Sequence, residues 1–272
     1  MNDAVLVIGS TGTTGSRVTT FLRERGVRVR EATRKPVGPD QVRFDWADTS
    51  THAEALRGVD RIYLVGPIGV AEPVPLVEPF LAGAPDVRRV VLLSSSAVPE
   101  GAPGMGELAS LVRTRVPEWA VLRPSWFMQN FAGEHPVAQG IRDRGEIVTA
   151  TGDGRVAFVD AADIAAVAGH ALIDAVPHNT AHVITGPDAL SYAEAAAIIG
   201  EASGLDVVHR PVEVSEFIEL LVRNGIPADF ADMLAGLDED IRGGAENRVT
   251  DTVGRVTGSP ARSFAEFVKT HF

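Results

Sequence analysis

The chain has 272 residues, 45% of them apolar and 6% aromatic, enough for one large core or a core with an appendage, built mainly from small branched side chains. Its 36 acidic and 25 basic residues leave a formal charge of -11, which excludes a broad basic face for nucleic acid or an anionic membrane and points to small-molecule partners. There is no cysteine, so disulfides, thiolate nucleophiles and cysteine-ligated zinc are excluded together, and a cytoplasmic location is expected.

In chain order, MNDAVLVIGS reads as a strand without the charged head and apolar stretch of a signal peptide. No run of roughly 18 apolar residues exists to span a bilayer, so no membrane partner is expected. The strand runs into STGTTG, in which Gly9, Gly12 and Gly15 have the spacing GxxGxxG, and then into SRVTTFLRERG, whose Val18, Phe21 and Leu22 share one helix face that stops at Gly26. Glycine weakens both strands and helices, so three of them at this joint need a reason. A tight strand-to-helix turn explains one or two. A phosphate-bearing nucleotide explains all three, because the backbone must come close to the pyrophosphate and the free N–H groups of the helix must face it. The hydroxyls of Ser10, Thr11, Thr13 and Thr14 offer further donors.

The second strand, VRVREAT, ends at Thr33, Arg34 and Lys35. An acidic residue there would accept hydrogen bonds from the ribose of NAD, whereas Arg34 and Lys35 suit the extra phosphate of NADP(H), which is the expected cofactor in preference to NAD(H). The alternative is an ordinary solvated turn. Glu31 precedes the turn by two residues and is expected inside the strand. Asp45, in RFDWAD, either meets the adenine or caps the helix beginning near Thr51.

Continuous apolar runs follow at RIYLVGP, RRVVLLSS, WAVLRP and AHVITG, with helix-patterned segments between them. Runs of this kind suit strands covered on both faces, so the fold class is α/β with a doubly wound parallel sheet. Ligands of such sheets bind beyond the carboxyl ends of the strands, which selects Val65, Gly66 and Pro67, then Ser94 to Val98, then Pro124 and the segment after it. The strand-helix rhythm breaks at WFMQNFAGEHP, after about residue 125, and the chain becomes mainly helical after Gly186. The predicted division is a nucleotide-binding domain over 1–125 and 156–186, and a small, mainly helical C-terminal substrate lobe over 126–155 and 187–272, laid on the carboxyl edge of the sheet. Asp160 and Asp163 are expected to start a helix, and Ser191 with Glu194 to form a capping box. His178 and His182 lie in a loop leading into a strand and have no evident third ligand, so no metal is expected. No GxSxG elbow suggests a hydrolase, and no motif specifies an oligomeric state.

Together, STGTTG, ATRKP, the SSSAV after the fifth strand, VLRPSWFMQNF and the closing GSPARSFAEFVKTHF resemble the NmrA-like branch of the atypical short-chain dehydrogenase/reductase superfamily, particularly the bacterial relatives of its ergot-alkaloid reductase group. The resemblance covers nearly the whole chain. It implies an NADP(H)-binding Rossmann domain with a C-terminal substrate lobe. Members reduce quinones, azo or triphenylmethane dyes, imines or lignan ethers, while NmrA itself is a regulator that senses the cofactor.

The resemblance also places Ser96 where extended short-chain dehydrogenases keep a substrate-orienting serine; the alternative is a strand-terminal hydroxyl that bonds backbone, and Ser94 is expected to help hold the cofactor. It exposes a departure. The downstream YxxxK pair is missing, because neither Tyr63 nor Tyr192 is followed by lysine four residues later, and the segment that should hold it reads EGAPGMGELASLV. Glu107 is its only carboxylate after Glu100, and is either a proton donor or a solvent-facing helix residue. Trp126, Phe127, Met128 and Phe131 either wall the nicotinamide or pack a core, and Gln129 and Asn130 either orient substrate or cap a turn. The expected function is reduction, by NADPH, of an apolar conjugated, quinone-like or iminium-type small molecule that accepts hydride without a dedicated acid. The alternatives are a redox-sensing regulator and a cofactor-bound cyclase or isomerase.

Overall fold

A computed structural model describes residues 4–272; residues 1–3, the head of the expected first strand, lie outside the described residues. The chain runs β1 (Ala4–Ile8), α1 (Thr13–Glu24), β2 (Arg28–Thr33), β3 (Gln41–Arg43), α2 (His52–Leu56), β4 (Val59–Val65), α3 (Val74–Ala82), β5 (Arg89–Leu93), α4 (Met105–Arg115) and β6 (Glu118–Pro124). It continues through α5 (Pro136–Arg144), β7 (Glu146–Thr149), β8 (Arg155–Val156), α6 (Ala161–Ile173), β9 (Thr180–Ile184), β10 (Leu190–Ser191) and α7 (Tyr192–Ser203). The last elements are β11 (Val208–Pro211), α8 (Val214–Arg223), α9 (Ala228–Arg242), α10 (Thr252–Thr257) and α11 (Phe264–His271).

The described residues form two compact units. The first comprises 4–124, 161–184 and 252–258, and the second 125–160, 185–251 and 259–272. Residues 156–160, grouped with the nucleotide-binding domain on sequence rhythm, thus cluster with the second unit, because Val156 and Phe158 are buried in its aromatic core. Helix α10 clusters with the first unit because it packs on α6 and β9.

The first unit holds a seven-stranded parallel sheet in the order β3-β2-β1-β4-β5-β6-β9, the expected doubly wound architecture. Every residue of β1 is buried, as a strand covered on both faces requires. Each such Val, Leu or Ile side chain contributes about 1.5–3 kcal/mol by leaving water. Helices α1 and α6 pack together, as do α3 and α4. The α1–α6 approach depends on Gly169, where a Cβ would fall on the Phe21 ring. Strand order reverses between β1 and β4, and in such sheets the crevice at the carboxyl ends of that pair is the ligand site.

In the second unit Phe131 meets Phe158 and Phe264 edge to face, at centroid distances of 4.9 and 4.8 Å, and Tyr192 joins them. Two short sheets, β7–β11 parallel and β8–β10 antiparallel, accompany its helices. Strands of two to four residues leave too little periodicity to show in a sequence. The Asp238 carboxylate, buried on α9, accepts the Ala150 N–H at 2.8 Å, and burial raises its pKa to about 6. Since the folded-state value lies above the ordinary 3.8, this group costs stability when ionised, and the cost fades as pH falls from 6 towards 4. Asp238→Asn keeps an acceptor for Ala150. It is expected to gain about 1–2 kcal/mol over wild type at neutral pH and nothing near pH 4, as read from urea midpoints across that range.

No helix among the described residues is long and apolar enough to cross a membrane.

Candidate functional site

The turn after β1 has the geometry of an anion seat. Gly9 has φ +72°, a left-handed conformation that glycine tolerates and β-branched residues do not. The Gly12 N–H donates to the Gly9 carbonyl at 2.9 Å, closing the turn. A Cβ on Gly15 would lie 2.7 Å from the Gly9 carbonyl carbon, so helix and turn touch backbone to backbone. Gly12 caps α1 with no side chain, and the first turn carries no acidic residue, so the N–H groups of the helix start are left for a ligand.

Two of the four hydroxyls expected to face that ligand are instead built into the protein. Ser10, buried, donates to the Ala32 carbonyl at 3.2 Å, tying the turn to the end of β2. Thr14, also buried, accepts the Tyr63 hydroxyl at 2.9 Å. Thr11 and Thr13 are exposed. Tyr63, invisible to motif reading, is therefore a strut between β4 and the first turn of α1. A polar ring inside an apolar strand was its only signal. Burial drives its hydroxyl far above the ordinary phenol range.

At the end of β2, Arg34 and Lys35 are exposed, and among the described residues neither side-chain cation has a hydrogen-bond or ion-pair partner. Glu31, within β2 as expected, is held by Arg23 at 2.6 Å and by Gln41 at 3.1 Å. Asp45 is not the helix cap: its carboxylate accepts the Ala47 N–H at 3.0 Å, while Asp48, three residues on, accepts the Ser50 N–H at the start of the next turn. The Trp46 indole donates to the Val65 carbonyl at 3.2 Å, which braces the start of the Val65-Gly66-Pro67 segment. Gly66 leaves room for Leu108, 3.2 Å from where a Cβ would stand.

Beyond β5 the ladder with β6 continues. Ser94 donates its N–H to the Leu122 carbonyl at 2.7 Å and Ser96 to the Pro124 carbonyl at 2.9 Å. Ser96 itself is buried. Glu107 is exposed, and its carboxylate accepts the Gly104 N–H at 3.2 Å at the start of α4, the solvent-facing helix position that was the alternative to a proton donor. The other tyrosine, Tyr192, is buried in the second unit, where burial drives its hydroxyl far upward.

The WFMQNF segment, in the second unit, divides by exposure. Met128 and Phe131 are fully buried, so these two are core rather than ligand wall, whereas Trp126 and Phe127 are half-buried. The Gln129 amide donates to Asp160 at 2.9 Å, and Asp160 also pairs with Arg262 at 2.9 Å. Asn130 is half-buried within that turn, its N–H on the Phe127 carbonyl.

His178 and His182 meet after all, nitrogen to nitrogen at 2.8 Å, because Asn179 adopts φ 44° and folds the loop back. Asp174 bridges His178 to His170, each at 3.1 Å. Burial pushes His182 down to about 4. Among the described residues no cluster of three or more His, Cys, Asp or Glu could hold a metal ion.

No family model matches the chain. It is 49% identical over 273 residues, 98% of this chain and 94% of the relative, to the Bacillus subtilis protein described as uncharacterized oxidoreductase YesF. It is 37% identical to festuclavine synthase II of Penicillium roqueforti, over 96% of each. Among solved structures, the NADPH-dependent quinone oxidoreductase of Escherichia coli complexed with NADPH superposes with a TM-score of 0.82 at 22% identity, covering 98% of this chain and 99% of that one.

Proposed function

Because the chain belongs to the NmrA-like branch of the atypical short-chain dehydrogenase/reductase family, we propose that it is an NADPH-dependent reductase of an apolar, conjugated small molecule, quinone-like or iminium in type. The observation that carries the reading is the bare α1 N-terminus behind the Gly9–Gly15 turn, at the switch point of the sheet, with two exposed cations at the end of the neighbouring strand that have no partner among the described residues.

These residues fit the cofactor. The α1 amides and the backbone of Gly9, Gly12 and Gly15 take the pyrophosphate, aided by the Thr11 and Thr13 hydroxyls, while Ser10 and Thr14 hold the turn in shape. Arg34 and Lys35 take the 2′-phosphate, and Asp45 stands on the adenosine side. The strand ends at Val65, Gly66, Pro67, Ser94 and Pro124 line the nicotinamide side, and Ser96 orients the substrate. Trp126 and Phe127 are the half-buried aromatic residues of their own segment, in the second unit. When bound, NADPH supplies a hydride.

The state of the chain's phenols supports the substrate class. Both phenols are buried and raised away from proton transfer, and Glu107 caps a helix. A positioned acid is worth roughly 10²- to 10⁴-fold, so a simple ketone would be a poor substrate, while an acceptor that is already cationic, or whose anion is stable, needs only orientation. The test follows NADPH oxidation by the purified protein against quinones, iminium salts, cationic dyes and simple ketones, beside calorimetry of NADPH and NADH. Turnover of conjugated acceptors with ketones left untouched is expected. Efficient ketone reduction would overturn the substrate class, absence of NADPH binding would overturn the whole reading, and binding without turnover of any acceptor would point to the sensor.

A further inference from the structure

Arg123 stands next to last in β6, a strand that is otherwise apolar through its middle, yet it is only partly exposed. Its guanidinium reaches sideways to the turn after β5. Nε donates to the Ser95 carbonyl at 3.4 Å, and one Nη donates to the Ser96 carbonyl at 3.2 Å and to the Val98 carbonyl at 2.7 Å. Three carbonyls within four residues are thereby gathered on one planar cation, a task that the single ammonium of lysine performs poorly. The same turn is fastened farther along, where Arg113 of α4 pairs with Glu100 while lying over the Trp119 ring at 4.7 Å.

We propose that Arg123 is a positioning residue, whose guanidinium fixes the 94–98 turn and with it the place of Ser96 at the carboxyl edge of the sheet. The inference rests on the reductase reading, in which that turn meets the reacting groups. The main-chain bonds of Ser94 and Ser96 tie one side of the turn to β6, and the guanidinium holds the carbonyls of Ser95, Ser96 and Val98. Displacement by about 1 Å at such a point can cost on the order of 100-fold in rate.

The test uses Arg123→Ala and Arg123→Lys in the full-length protein with an acceptor that the wild type reduces. For Arg123→Ala, kcat is expected to fall about 10- to 100-fold, with the NADPH Kd within about threefold of wild type and faster amide hydrogen exchange at residues 96–98. Added methylguanidinium is expected to restore part of kcat. Arg123→Lys should keep the fold and recover only a fraction of the rate. An unchanged kcat in Arg123→Ala would overturn the proposal. So would parallel losses of kcat, NADPH affinity and melting temperature without guanidinium rescue, since those are the marks of a purely structural role. If the wild type reduces no acceptor, the reductase reading fails by itself. Hydrogen exchange then decides alone: slow amides at 96–98 in wild type and fast ones in Arg123→Ala support the clamp, and equal rates overturn it.

Discussion

Gly15→Val is expected to abolish NADPH binding, with at least a hundredfold rise in Kd by calorimetry and a lower melting temperature. A Cβ at residue 15 would sit 2.7 Å from the Gly9 carbonyl carbon and 3.1 Å from the Ser10 Cα, both backbone atoms that cannot swing aside. The helix start must therefore move away from the turn. That movement strains the Ser10 bond to Ala32 and the Thr14 bond to Tyr63, which lock the turn to β2 and β4. The pyrophosphate loses its donors at the same moment, because their direction is set by the first turn of α1. Gly12→Ala offers an internal comparison. Its Cβ would stand 3.2 Å from the Gly9 carbonyl oxygen, a contact that a shift of a few tenths of an ångström relieves, so a smaller loss is expected. Equal affinities for wild type and Gly15→Val would remove the turn from the cofactor site.

Arg34→Ala combined with Lys35→Ala is expected to raise the NADPH Kd by about 100-fold and leave the NADH Kd within a factor of about three. Charge-assisted hydrogen bonds contribute about 1.5–3 kcal/mol each, so losing those of two cations removes at least that much. Neither side chain has a partner among the described residues, and so the substitution should leave the melting temperature of the free protein unchanged. The loss should also shrink as salt rises, because exposed charges are screened within about 8–10 Å. Arg34→Glu should go further and invert the preference towards NADH. If both cofactors weakened alike, the pair would be serving the common part of the dinucleotide.

The fold was legible because its signals are local and repeated. Apolar runs such as AVLVI and RVVLL are buried on both faces, and only a parallel sheet with helices on each side accommodates several of them. The glycine turn was legible for the same reason, since spacing, preceding strand and following helix all lie within two dozen residues. The polar struts were not. Tyr63 to Thr14 spans 49 residues of chain, Trp46 to Val65 spans 19 and Arg123 to Val98 spans 25, and nothing in a linear pattern says which distant carbonyl or hydroxyl a buried polar group will find. Met128 and Phe131 show the converse. Their alternation with Trp126, Phe127 and Gln129 places them inward, but a short helical turn gives no clear period from which to see it.

The chain passes from one unit to the other five times, at 124, 160, 184, 251 and 258. Neither unit is a contiguous piece, so no single proteolytic cut liberates one of them whole. During vectorial synthesis on the ribosome the sheet must wait for its edge strand β9, and the first unit is complete only when α10, more than 120 residues after β6, has emerged. Truncations that stop at the end of β6 should accordingly yield aggregates or degraded fragments, and the folding transition of the intact protein should report both halves together.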